Sequence, residues 1–191
     1  MWIALVVACG ILLGGALTAR TSVWASGVRV LSLISAPFRI HAIWDELTDT
    51  HSLDGASDVS RVVFTDYECE SCINAWRAQT DLRALSVRHL PLPGNPVSRL
   101  AAQGVVCAGE QQRLLAMHQQ LIRLPQRWRF DGDIAREATL AAVADRAKFE
   151  ACMTSKNTER KLSADSLLAA RLGINAVPTV VSRFAVRVGR F

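Results

Sequence analysis

The fold turns on twelve residues, RVVFTDYECESC, running from Arg61 to Cys72. Val62, Val63 and Phe64 form an apolar, strand-favouring run. A polar stretch follows, in which Cys69 and Cys72 enclose Glu70 and Ser71, and INAWRAQTDLRAL from Ile73 onward reads as a helix. A CxxC between a strand and a helix sets Cys69 at the helix N-terminus, where unpaired backbone N–H groups and the dipole favour an anion. The thiolate is the nucleophile, so this placement makes Cys69 reactive. Cys72 lies one turn further on, within reach of Cys69, and can attack a mixed disulfide formed there.

Other readings of the pair are zinc binding, a structural disulfide and two core cysteines. Zinc needs two more ligands at recognisable spacing, whereas His41, His51, His89 and His118 are scattered and no second close Cys pair exists. A structural disulfide fits an exported chain, and the polar surroundings argue against simple core packing.

Working outward, SVRHLPL (Ser86 to Leu92) reads as a second strand closed by Pro93-Gly94. From Val97 to Leu172 the apolar spacing is helical almost throughout, with His118 on the Met117 helix face as a packed residue and not a catalytic base. The period then changes: Gly173 suits a helix C-cap, Val177-Pro178-Thr179-Val180-Val181 reads as a strand opening on a proline, and a last strand runs through Phe184 to Val188. The order strand, CxxC, helix, strand, helical block, two strands defines an α/β chain.

Residues 2 to 19 carry no charge, and Arg20 ends the run. The run is longer than a usual signal-peptide core and barely long enough to span a bilayer. Val23-Trp24-Ala25 offers small residues for signal-peptide cleavage, while the absence of Lys or Arg ahead of the run favours a retained anchor. Either reading delivers the rest outside the cytoplasm, periplasmic or otherwise extracytoplasmic, where thiols oxidise. The expected organisation is therefore 1–25 signal peptide or membrane anchor, 26–52 connector with a short helix around Ile40 to Leu47, and 53–191 the α/β domain, with helical residues at about 97–172.

Half of the 191 residues are hydrophobic, enough for a real core. The net charge of +5 comes from scattered arginines with no like-charge run or aromatic ladder, which reads as a solvated surface and argues against nucleic-acid binding.

FTDYECESC resembles the F-x-D-x-x-C-x-x-C segment of the DsbA-like thiol-disulfide oxidoreductases, and GINAVPT (Gly173 to Thr179) resembles their second signature, the loop whose proline faces the CxxC in the cis form. The stretches LPLPGNPVSRLAAQGVVCAGEQQRLLAMHQQLI and FEACMTSKNTERKLSADSLLAARLGI are similar to the entry to and exit from the family's helical insertion. The resemblance spans about residues 55 to 183. It implies a thioredoxin-like fold with a helical domain inserted between the second and third core strands. It further implies Cys69 as attacking thiol, Cys72 as resolving thiol, and Val177 and Pro178 as the substrate-binding wall, the Val177 backbone pairing with an extended client segment. Implied partners are cysteine-containing exported proteins and an unidentified redox partner that resets the CxxC; no metal or organic cofactor is expected. The same site would serve a reductase or isomerase, and a non-catalytic peptide-binding module is the rival from another class.

Two departures carry consequences. Glu70 and Ser71, the redox-tuning residues between the cysteines, stand where strongly oxidising members carry proline and histidine. Glu70, helped by Glu68, is expected to repel the thiolate and make a weaker oxidant. The relatives also continue past the last strand into a helix that covers one sheet face, so that face is expected to be partly bare or covered otherwise. Cys107 and Cys152 fit either a second, structural disulfide, as in some relatives, or two buried free cysteines; Cys9 sits in the export segment.

Overall fold

The computed structural model describes residues 37–49, 52–53, 55 and 58–189; residues 2–19, where the export or anchor segment is expected, lie outside these. The strand signal of Val62-Val63-Phe64 becomes β1 (Arg61–Thr65). Parallel to it runs β2 (Leu85–His89), while β3 (Thr179–Ser182) pairs with β1 antiparallel and β4 (Ala185–Val188) pairs with β3 antiparallel. The sheet order is β2-β1-β3-β4. As a central strand β1 is covered on both faces, which is why it is apolar without alternation.

Before the sheet, residues 37–42 are helical and lead through a turn into α1 (Trp44–Thr48). The CxxC opens α2 (Glu70–Ala78). Between β2 and β3 come α3 (Pro96–Gly109), α4 (Leu114–Arg123), α5 (Pro125–Arg129), α6 (Ile134–Leu140), α7 (Arg146–Met153) and α8 (Lys156–Leu172). This is the thioredoxin-like sheet with the helical insertion that the resemblance implied.

Local chemistry sets the helix ends. The Asn95 side chain accepts from the N–H groups of Val97 and Ser98, with Pro96 at the first helical position of α3. Ser155 caps α8 by accepting from Thr158 N, and Gly173 ends it in the left-handed conformation at φ 72°. Helix α2 is shorter than INAWRAQTDLRAL suggests: Gln79 is extended, and Asp81 Oδ1 accepts from Arg83 N 3.0 Å away, a local turn that competes with the helix.

Two apolar layers sandwich the sheet. On one face Val63, Leu85, Val87 and Val180 pack against Ile73 and Trp76 of α2 and against the insertion, including Val105, Met117, Leu121 and Trp128. Gly104 lets α3 close on α6 there, since a Cβ at that position would overlap Ile134 Cγ2 and lie 3.1 Å from Met117 Cε. On the other face Val62, Phe64 and Val181 are covered by Leu168 and Leu172 of α8 and by Ile40, Trp44 and Leu47. Residues 37–48, within the stretch expected as a connector, thus supply core side chains. The Arg183 guanidinium, in the turn before β4, lies 5.0 Å from the Trp44 ring centroid. At β4 itself Arg187 and Val188 are exposed and Ala185 and Val186 half-buried.

Candidate functional site

Strand β1 ends where a thiol site needs a rigid support. Asp66, buried just after it, accepts from Glu68 N at 2.7 Å through Oδ1, and from Leu92 N and Ser98 Oγ, each at 2.5 Å, through Oδ2. One carboxylate therefore fixes the turn into the CxxC and joins it to the loop after β2.

Cys69 is the N-cap of α2. Its Sγ accepts from Cys72 N at 3.1 Å, and Ser71 Oγ lies at the same distance. Cys69 and Cys72 are joined as a disulfide with their Cα atoms 5.2 Å apart. Cys69 is partly exposed and Cys72 fully buried, so an incoming thiolate reaches Cys69 first. On reduction, the backbone N–H and the Ser71 hydroxyl stand ready to donate to a Cys69 thiolate, and donors to the charged form favour it.

The Val177–Pro178 bond is cis, and Val177 O lies 3.7 Å from Cys69 Sγ. Pro178 is buried, and Val177 half-buried. Gly189 N donates to Pro178 O at 2.8 Å, so the end of β4 pins this loop. The structure brings Cys69, Ser71, Cys72 and Val177 together, while Glu70 points into solvent. Cys107 and Cys152 lie in the insertion, joined as a disulfide between α3 and α7 with Cα atoms 5.7 Å apart.

One expectation is corrected by charge pairing. Glu68 does not add an unscreened negative charge to Glu70: Arg129 Nε lies 3.1 Å from Glu68 Oε1, and Asn95 Nδ2 donates to Glu68 Oε2 at 3.2 Å. Arg129 also donates to Tyr67 O at 2.7 Å. Sequence reasoning did not find Arg129 or Asn95, because nothing local marks a partner separated from Glu68 by 61 or 27 positions.

Beneath the pair, Tyr67 Oη is 2.8 Å from His118 Nδ1, and the His118 ring meets Trp76 edge-on at 4.4 Å between centroids. Burial holds the Tyr67 phenol well above its ordinary value, with Asp66 adding to the shift. Burial also pushes His118 down to about 3, with His89 contributing. The phenol is therefore the donor and His118 the neutral acceptor, an assignment made from these partners. His118 is a packed residue between α4, Tyr67 and α2.

A cavity of about 550 Å³ opens between β2, α3 and α8, lined by Val87, Val106, Leu114 and the Lys161–Glu110 ion pair among others; the cysteine pair does not border it. Among the described residues no group of three or more His, Cys, Asp or Glu side chains is placed to hold a metal.

A family model described as Thioredoxin matches residues 48–182, most of the chain, and the chain belongs to that family. Solved structures with the same fold include a thioredoxin-like oxidoreductase from Silicibacter pomeroyi DSS-3, 23% identical with a TM-score of 0.62, covering 77% of this chain and 89% of that one. A linker-deletion variant of Proteus mirabilis ScsC is 20% identical with a TM-score of 0.68, covering 92% and 86%. The thiol-disulfide exchange protein alpha-DsbA2 from Wolbachia pipientis is 17% identical with a TM-score of 0.65, covering 84% and 91%. The fold is thus the one shared by DsbA-like thiol-disulfide exchange proteins. No curated protein matches the chain.

Proposed function

We infer that this protein is an extracytoplasmic thiol-disulfide oxidoreductase that exchanges disulfides with cysteine-containing exported proteins. The observation that carries the reading is the partly exposed Cys69 at a helix N-terminus, its Sγ accepting from Cys72 N, with the Val177 carbonyl 3.7 Å away. The thioredoxin family match and the fold support it. The uncharged run at 2–19 supports export, by a cleaved signal or a retained anchor.

In the oxidising direction, a client thiolate attacks Cys69 Sγ; the Cys69–Cys72 bond breaks and Cys72 leaves as a thiolate that takes up a proton. A second client thiolate then attacks the client sulfur of the mixed disulfide and expels the Cys69 thiolate. Two electrons pass from the client dithiol to the enzyme, which a redox partner must reoxidise. Run backwards, the same steps reduce clients. In this reading the Val177 backbone pairs with an extended client segment and aligns its sulfur with Cys69, a role that the 3.7 Å between Val177 O and Cys69 Sγ supports.

With Cys72 replaced by Ala, a Cys69 thiolate that attacks a client disulfide expels one client thiolate and has no neighbouring thiol to release the other, so client adducts should accumulate on Cys69 in the extracytoplasmic fraction. Complete absence of adducts would assign the chain to non-catalytic peptide binding.

A further inference from the structure

Glu68 immediately precedes the attacking cysteine, and a carboxylate so placed opposes a thiolate. Yet the insertion reaches back to hold it. Arg129, the last residue of α5, pairs with Glu68 Oε1 at 3.1 Å and donates to Tyr67 O at 2.7 Å. Asn95, the cap of α3, donates to Glu68 Oε2 at 3.2 Å while its own Oδ1 accepts from Val97 N and Ser98 N. The Arg129 and Glu68 side chains are 25% and 18% exposed, so solvent screens their pairing less than that of a surface pair.

We propose that Arg129 is a positioning residue for thiol exchange: it neutralises Glu68 and clamps the Tyr67 carbonyl, so that the insertion sets both the charge and the place of the Cys69 sulfur.

Among the described residues, the acidic groups next to Cys69 in sequence are Asp66, Glu68 and Glu70. Asp66 is spoken for by Leu92 N, Ser98 Oγ and Glu68 N. Glu70 is exposed, and the opposing Asn175-Ala176-Val177 segment is uncharged. The Glu68–Arg129 pair, whose carboxylate is on the residue next to Cys69, is therefore a charge couple whose balance a substitution can tip. With both members present their fields at the sulfur largely cancel; with Arg129 gone the carboxylate acts alone, and with Glu68 neutralised the guanidinium acts alone. The inference rests on Cys69 being the exchanging thiol.

The test is the pH dependence of iodoacetamide labelling at Cys69 in the reduced full chain, read by peptide mass spectrometry. Arg129→Met should raise the labelling midpoint and Glu68→Gln lower it, each by about half a pH unit or more, as for a partly screened unit charge. The double variant should return close to the wild type, and Arg129→Lys, which keeps the charge, should stay nearer the wild type than Arg129→Met. A purely structural role would not produce shifts of opposite sign. An unmoved midpoint in Arg129→Met, or shifts of the same sign in both single variants, overturns the proposal. Should Arg129→Met fail to fold, Glu68→Gln alone decides: a lowered midpoint supports the couple and an unchanged one refutes it. These midpoints need no client, whereas trapping with Cys72→Ala reads exchange itself, so failure of either inference shows separately.

Discussion

Arg88 Nη1 lies 2.8 Å from Asp165 Oδ1 in the interior, each side chain less than a tenth exposed, and this pair joins the edge strand β2 to α8. The second Asp165 oxygen accepts from His89 N at 2.8 Å, while Arg88 donates to the carbonyls of Leu47 and Glu46. Strand, long helix and α1 thus meet at two side chains. Burial pushes the Asp165 carboxyl above its ordinary range, against the downward pull of Arg88 and His89 N–H. Burial of both charges offsets part of their attraction, so the cost of breaking the pair exceeds what the intact pair adds.

Removing one member is the costly change. Asp165→Ala strands a buried guanidinium and leaves His89 N–H without its acceptor, and should destabilise by about 3–5 kcal/mol in chemical denaturation. A loss below about 1 kcal/mol would show that water reaches Arg88 freely.

Acid should weaken the fold through two histidines. Burial holds His89 at about 4, with Arg88 adding to the shift, and His118 at about 3, below the ordinary 6.5. Both folded values are depressed, so the unfolded chain binds more protons below about pH 6.5. Stability is complete above that pH and falls as the pH drops toward 4, by up to about 1.4 kcal/mol per pH unit for each histidine. Comparing wild type with His118→Gln isolates one of them, since Asp165, whose raised carboxyl tilts the profile the other way, is common to both. The variant should show a shallower acid slope by about that amount; parallel profiles would refute a neutral His118.

With Glu68 paired to Arg129, Glu70 is the carboxylate beside Cys69 expected to tune the thiol. Replacing it with His should lower the Cys69 labelling midpoint by up to about one unit and raise the reduction potential by roughly 30 mV. Glu70 is exposed, so the effect should shrink in high salt. A titration that does not move would show its charge dissipated in solvent.

The bond between Cys107 and Cys152 spans 45 positions and ties α3 to α7. Replacing both with Ala should cost about 4 kcal/mol by the chain-entropy argument. The Cys69 labelling profile should stay where it was. Unchanged stability would mean that the cysteines act only as small apolar side chains.

The strand, CxxC and proline-headed strand were legible because each rests on local chemistry: a β-branched run, a pair of sulfurs at a helix start, a change of period after Gly173. The long-range polar ties were not. Asp165 sits among Ser163, Ala164 and Ser166 and reads as a solvent-facing helix residue; only its meeting with Arg88, 77 positions earlier, makes it interior. Arg129 looks like one more scattered surface charge until the insertion folds it against Tyr67 and Glu68. Residues 37–48 read as a connector because IHAIWDEL is short, and only the sheet supplies the face that Ile40, Trp44 and Leu47 cover.

The most direct test of exchange is to mix the oxidised protein with a reduced, unfolded secreted protein carrying two cysteines and to count free thiols on each protein separately. Two client thiols should disappear for each Cys69–Cys72 pair reduced, with Cys107–Cys152 still bonded and Cys69→Ser inert. Client thiols that persist in full beside an intact Cys69–Cys72 bond would contradict the assignment of this site to disulfide exchange.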